Sequence, residues 1–147
     1  MFRNILVPTD GSALSRKAIK RAVQLAKEQK GRVTGFYVGA PWKPRGNDES
    51  IAYRMVSPPE HAAIVKRAAD RILNAVKRAS AKAGVPCTCS YSTGDYPYLK
   101  IVEAANRSGC DLILMATHGR RGISKLLLGS ETTKVLAHST IPVMVCR

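Results

Sequence analysis

Apolar residues recur along this chain in two rhythms. Leu14, Ala18, Ala22, Leu25 and Ala26 fall on one stripe, with Ile19 and Val23 beside it, the three-to-four-residue repeat of an amphipathic helix. Ser12 stands where an N-cap is needed and Gly31 follows the end. Ile64, Val65, Ala68, Ala69, Ile72, Leu73, Val76 and Ala79 predict a second helix between Pro58-Pro59 and Gly84. A third, shorter helix runs from about Pro97 to Arg107, with Leu99, Ile101, Val102 and Ala105 inward and Gly109 as its stop. A fourth runs from Ser130 to about His138.

The second rhythm is a set of short apolar runs between these helices: Asn4 to Val7, Arg32 to Val38, Cys87 to Ser92, Asp111 to Ala116 and Ile141 to Cys146. Ile5-Leu6-Val7 and Leu112-Ile113-Leu114-Met115-Ala116 are apolar without alternation, as strands covered on both faces must be. Strict alternation of five strands with four helices predicts right-handed crossovers and a doubly wound parallel α/β sheet. Gly39 to Ser57, carrying Pro41, Pro44, Gly46 and the only tryptophan, Trp42, is the one irregular stretch. It reads as an ordinary variable surface loop, with folding over a ligand as the alternative.

A length of 147 residues with 45% hydrophobic side chains suffices for one core, so one domain spanning 1–147 is expected. No apolar run approaches the roughly 20 residues of a membrane-spanning helix. The N-terminus reads straight into a strand rather than a signal peptide, so the expectation is a cytoplasmic chain without a membrane partner. Cys87, Cys89, Cys110 and Cys146 match neither zinc nor thioredoxin spacing and read as small core or strand residues. The formal charge of +14, from 24 Lys and Arg against 10 Asp and Glu, raises the question of a polyanion partner. Much of the excess is spread over the surfaces of the two long helices, and no basic cluster is interleaved with aromatics for base stacking. A solvated basic surface is therefore expected, and nucleic acid is not.

In open α/β sheets ligands bind beyond the carboxyl ends of the strands, near the point where strand order reverses. Three strand exits carry candidate chemistry: Val7-Pro8-Thr9-Asp10-Gly11-Ser12, Tyr37-Val38-Gly39-Ala40, and Ala116-Thr117-His118-Gly119-Arg120-Arg121-Gly122. The last continues through Ile123-Ser124-Lys125-Leu126-Leu127-Leu128 into Gly129-Ser130, which opens the fourth helix. Gly119, Gly122 and Gly129 remove side chains where a phosphate approaches the backbone, and the helix N-terminus adds free N–H groups. Ser130 suits either a phosphate oxygen or the N-cap. Arg120, Arg121 and Lys125 add cations, while Glu131 in the first turn competes with an anion or helps hold a metal. Neither a P-loop nor a dinucleotide fingerprint is present. His118 adjoins the loop, but no Ser or Cys nucleophile with a partnering Asp is evident, so no catalytic residue is assigned.

Ile5-Leu6-Val7-Pro8-Thr9-Asp10-Gly11-Ser12 resembles the opening of the universal stress protein family. Thr117-His118-Gly119-Arg120-Arg121-Gly122, Leu127-Leu128-Gly129-Ser130 and Ile141-Pro142-Val143-Met144-Val145 resemble its closing signature, so the likeness spans essentially the whole chain. The resemblance implies a flavodoxin-like or Rossmann-like domain of the adenine nucleotide alpha hydrolase kind. It would bind ATP, ADP or AMP, with magnesium beside the nucleotide, and act in the stress response with at most very slow ATP hydrolysis. By position, Asp10 and Thr9 would lie near adenine and ribose, and Pro8 and Val38 would line the adenine pocket. Gly119, Gly122, Gly129 and Ser130 would hold ribose and phosphates, flanked by His118 and Glu131. The resemblance also implies a homodimer paired through Ile141 to Cys146, an apolar edge that would otherwise invite aggregation. The family pattern Gly-x-x-Gly, nine residues, Gly-Ser/Thr meets only six residues, Ile123 to Leu128, between Gly122 and Gly129. Two alternatives stay open: a member of the family that does not bind ATP and works through protein contacts, and a basic nucleic-acid binder.

Overall fold

A computed structural model describes residues 1–44, 56–117 and 128–147. Strands and helices alternate as β1 (Asn4–Pro8), α1 (Ala13–Glu28), β2 (Arg32–Gly39), α2 (Pro58–Ala83), β3 (Cys87–Thr93), α3 (Pro97–Arg107), β4 (Leu112–Ala116), α4 (Ser130–His138) and β5 (Val143–Cys146). All five strands run parallel in the order β3-β2-β1-β4-β5. The chain winds outward from β1 to β3, returns across the sheet to β4, and winds outward again, so the switch point lies between β1 and β4. This is the doubly wound, Rossmann-like arrangement that the alternation of elements predicts.

Side-chain parity decides which helix covers which face. On β1, Ile5 and Val7 point to one side and Leu6 to the other; on β4, Leu112 and Leu114 oppose Ile113 and Met115. The first side packs on α1 through Ala18, Ala22 and Ala26 and on α2 through Val76. The second packs on α3 through Ile101 and Ala105 and on α4 through Val135. Every residue of β4 is buried, which explains its unbroken apolar run. Gly35 on β2 gives α2 its close approach: a Cβ there would sit 2.9 Å from Cys89 Sγ and 3.1 Å from Val76 Cγ1.

The helix ends are set locally, with two departures from expectation. Ser12 caps α1 by accepting from Ser15 N–H at 3.1 Å. The left-handed residue after that helix is Lys30, at φ 53, rather than Gly31. Gly31 is small for another reason, since a Cβ there would lie 2.8 Å from the Arg3 carbonyl oxygen. Ser57 and Glu60 form a reciprocal capping box on α2, which Gly84 ends in the left-handed conformation. The second departure is on α4, where Gly129 rather than Ser130 is the N-cap, a residue with no side chain to cap the helix. At the amino ends of the strands, Asp111 accepts from the backbone N–H of Arg3 at 2.7 Å and of Asn4 at 3.0 Å. That bond pair holds β1 beside the start of β4 and sets their register.

Candidate functional site

The β1 exit is built from short polar side chains bonded to one another. Thr9 is buried, donates its backbone N–H to the Phe36 carbonyl at 2.9 Å, and donates its hydroxyl to Ser15 Oγ at 3.0 Å. The same hydroxyl accepts from Gly11 N–H at 3.3 Å, and Asp10 Oδ1 accepts from Ser12 N–H at 2.9 Å. Gly11 takes φ 79, a left-handed turn that suits glycine. Pro8 and Asp10 are half-buried at the rim. On the neighbouring β2, half-buried Val38 packs against the apolar cluster that includes Phe36 and Met115. These four residues from two strand exits therefore lie at the carboxyl edge of the sheet.

The β4 exit adjoins β1 across the switch point. Thr117 is buried and its N–H donates to the Cys146 carbonyl at 2.9 Å, so β5 fixes its position. Gly129 N–H donates to the Thr117 carbonyl at 2.6 Å. Thr132, also buried, donates its hydroxyl to the carbonyls of Ala116 at 3.0 Å and Thr117 at 3.3 Å. Three donor contacts thus hold the first turn of α4 against the end of β4. Ser130 is exposed at the first helical position. The N-terminal amides of α4 accordingly face the carboxyl edge of the sheet with no side-chain cap among the described residues, where the helix dipole favours an anion.

Glu131 points elsewhere. Its Oε2 accepts from the backbone N–H of Tyr98 at 2.9 Å and its Oε1 from Lys134 Nζ at 3.4 Å. Tyr98 lies in the first turn of α3, a helix whose own N-cap, Tyr96, makes no side-chain capping bond. Glu131 therefore caps α3 from the next helix. Tyr98 is sandwiched by neighbours, with the His138 ring 4.8 Å from its own and Lys134 Nζ 5.6 Å from its centroid. His138 also bonds the Lys134 carbonyl at 2.8 Å, a packing role.

The base of the long β2–α2 connection is tied at three points. His61 Nε2 bonds the Ala40 carbonyl at 2.9 Å, Trp42 Nε1 donates to the Val56 carbonyl at 3.0 Å, and Lys43 pairs with Asp95 at 2.6 Å. Residues 45–55 of that connection lie outside the described residues, as do His118, Gly119 and Gly122 with Arg120, Arg121 and Lys125. Of the predicted site residues, the structure brings Pro8, Thr9, Asp10, Val38, Gly129 and Ser130 to one edge of the sheet. Thr132 carries no such signal: nothing in a threonine's sequence context announces that it bonds a strand end, because that depends on where the helix docks. Among the described residues no group of His, Cys, Asp and Glu is placed to hold a metal, and no helix is long and apolar enough to cross a membrane.

The model of the Universal stress protein family matches residues 1–147. The universal stress protein YxiE of Bacillus subtilis is 34% identical over 152 aligned positions that span all of both chains. The chain belongs to the universal stress protein family. The family member MJ0531 of Methanocaldococcus jannaschii is 31% identical, over 100% of this chain and 83% of that one. Among solved structures, the hypothetical protein MJ0577 of the same archaeon superposes with a TM-score of 0.76 at 25% identity, covering 99% and 95% of the two chains. Two further universal stress protein structures share the fold. One, in complex with cAMP, has a TM-score of 0.68 at 23% identity over 99% and 97% of the chains. The other, from Archaeoglobus fulgidus in complex with dAMP, has a TM-score of 0.65 at 16% identity over 99% and 98%.

Proposed function

We propose that this universal stress protein is a nucleotide-binding module of the cytoplasm. The whole chain acts as one domain, taking ATP, ADP or AMP with magnesium, and works as a homodimer in the stress response. The observation that carries the reading is the start of α4: amides with no side-chain cap among the described residues, held at the β4 exit by the 2.6 Å bond from Gly129 N–H to the Thr117 carbonyl. The family's solved complexes with cAMP and dAMP support an adenine nucleotide as the anion.

In this reading Pro8, Thr9, Asp10 and Val38 hold the adenosine end, and Gly129 and Ser130 receive phosphate through backbone amides and a hydroxyl. Glu131 leaves the nucleotide set because its carboxylate caps α3. The glycine spacing supports the same assignment once it is counted from Gly119. Nine residues, Arg120 to Leu128, then precede Gly129-Ser130, and Ala116 takes the place of the first glycine. His118, Gly119 and Gly122 complete the predicted segment. No nucleophile and base pair is assigned, so the site binds and positions the nucleotide rather than turning it over.

The test is to identify small molecules released when the purified protein is denatured, with an adenine nucleotide expected. Glu131→Gln is expected to keep nucleotide affinity while losing about 0.5–1 kcal/mol of stability through the weakened cap. The proposal is overturned if nucleotide-free protein shows no thermal shift with millimolar ATP and magnesium, and if Gly122→Val and Gly129→Val leave that null result unchanged. That outcome would return the chain to the branch that acts through protein contacts alone.

A further inference from the structure

The fold sorts the charge of this chain onto one side of the sheet. α1 and α2 pack against each other on the same sheet face. On α1, Arg16, Lys17, Lys20, Arg21 and Lys27 are all exposed, against the single carboxylate of Glu28. On α2, Lys66, Arg67, Arg71, Lys77, Arg78 and Lys82 are exposed, against Glu60 and Asp70. Among the described residues, the helices of the opposite layer, α3 and α4, are nearly balanced, with Lys100, Arg107 and Lys134 against Glu103 and Glu131. Eleven of the chain's 24 lysines and arginines thus form one surface.

Two details separate this surface from an ordinary solvated face. Among the described residues its only ion pair is Lys66 with Asp70 at 2.8 Å. Eight of the other ten cations instead stand in pairs four residues apart: Arg16 and Lys20, Lys17 and Arg21, Arg67 and Arg71, Arg78 and Lys82. Like charges at that spacing destabilise a helix by a few tenths of a kcal/mol per pair. Neither helix needs them for its buried stripe, which apart from Ser15 and Ser80 is made of alanine, valine, leucine and isoleucine. An external polyanion would offset all four repulsions with attractions of its own.

We propose that the α1–α2 face docks the phosphate backbone of a double-stranded nucleic acid, without base readout. Arg67, Arg71, Arg78 and Lys82 lie along one stripe of α2, about 22 Å long by the helical rise. That rigid row of cations matches a regularly charged rod, and α1 supplies a second row beside it. Missing aromatics argue against stacking on unpaired bases, but backbone contacts to a duplex require none. An anionic bilayer is the less fitting partner. The exposed length of both helices from Lys66 onward carries no large apolar side chain to enter it, and exposed Ile64 stands alone near the start of α2. The surface is formed by the outer helix faces, away from the strand exits, so the proposal does not depend on nucleotide binding.

Fluorescence anisotropy with a labelled random-sequence duplex, titrated at several salt concentrations, tests it. Wild-type protein is expected to bind at low salt and to weaken steeply as salt rises. The double variant Arg71→Glu and Arg78→Glu places a carboxylate four residues from Arg67 and from Lys82, so α2 is retained. It is expected to lose about tenfold or more in affinity and to flatten the logarithmic salt slope by roughly two. Lys100→Glu with Arg107→Glu on the opposite layer makes the same change in net charge and is expected to leave affinity within about twofold. Equal losses in the two variants, no duplex binding at low salt, or binding to phosphatidylserine vesicles in preference to the duplex would each overturn the proposal. Duplex binding that persists in Gly129→Val protein after nucleotide binding is lost separates this surface from the nucleotide site.

Discussion

Cys87 and Cys89 lie two residues apart on β3, and alternation puts both on the face toward α2, with their Sγ atoms 3.8 Å apart. The Cys87 thiolate accepts a hydrogen bond from Cys89, which with lesser help from the Ser80 hydroxyl and the charge of Lys77 outweighs burial and lowers its pKa to about 6. The same bond, assisted by burial, holds the Cys89 thiol well above its usual range, and burial raises those of Cys110 and Cys146. Half-buried Cys87 is therefore expected to be the thiol alkylated by iodoacetamide at neutral pH, with a rate that rises through a midpoint near 6. Cys89→Ala removes the bond and moves that midpoint upward; an unchanged profile would show that another group sets it. The sign for stability follows from the lowered value. Between about 6 and the unfolded thiol's value, folding releases a proton from Cys87, so this residue's contribution to stability rises with pH.

At the scale of elements, the decisive join is that of α4 to β4. Thr132→Val keeps the side-chain shape but leaves the Ala116 and Thr117 carbonyls without this donor in a buried setting. A loss of about 1–2 kcal/mol in chemical denaturation is expected. If the first turn of α4 presents the phosphate site, nucleotide affinity should fall with it; a variant that loses stability and keeps full affinity would separate the join from the site. The elements themselves were legible in the sequence. Helix stripes, the Ser12 cap, Gly84 and Gly109 mark their ends with residues a few positions apart. What was not legible joins distant residues: Glu131 to Tyr98, 33 positions away, and Thr132 to the strand end it bonds. Local context suggested a phosphate competitor at Glu131, and tertiary position gave it another helix to cap.

At the scale of the molecule, the basic face was invisible for the same reason. A net charge of +14 reads as diffuse until the strand order β3-β2-β1-β4-β5 shows that the two most basic helices share a layer. The strand order also leaves β5 at an edge. Ile113 N–H donates to the Pro142 carbonyl and Thr117 N–H to the Cys146 carbonyl. By alternation the N–H groups of Val143 and Val145 then point away from β4, while Met144 is 40% exposed on the strand. An apolar strand with outward-facing donors is a template for a second copy of itself. Val145→Pro removes one outward N–H and leaves the ladder to β4 intact, since proline is tolerated on an edge whose N–H faces solvent. If β5 pairs across a homodimer, sedimentation should report a monomer for this variant and a dimer for the unmodified chain. A dimer that survives the substitution would place the contact elsewhere, and the α3–α4 layer, with Leu99 and Leu136 exposed, would be the next surface to test.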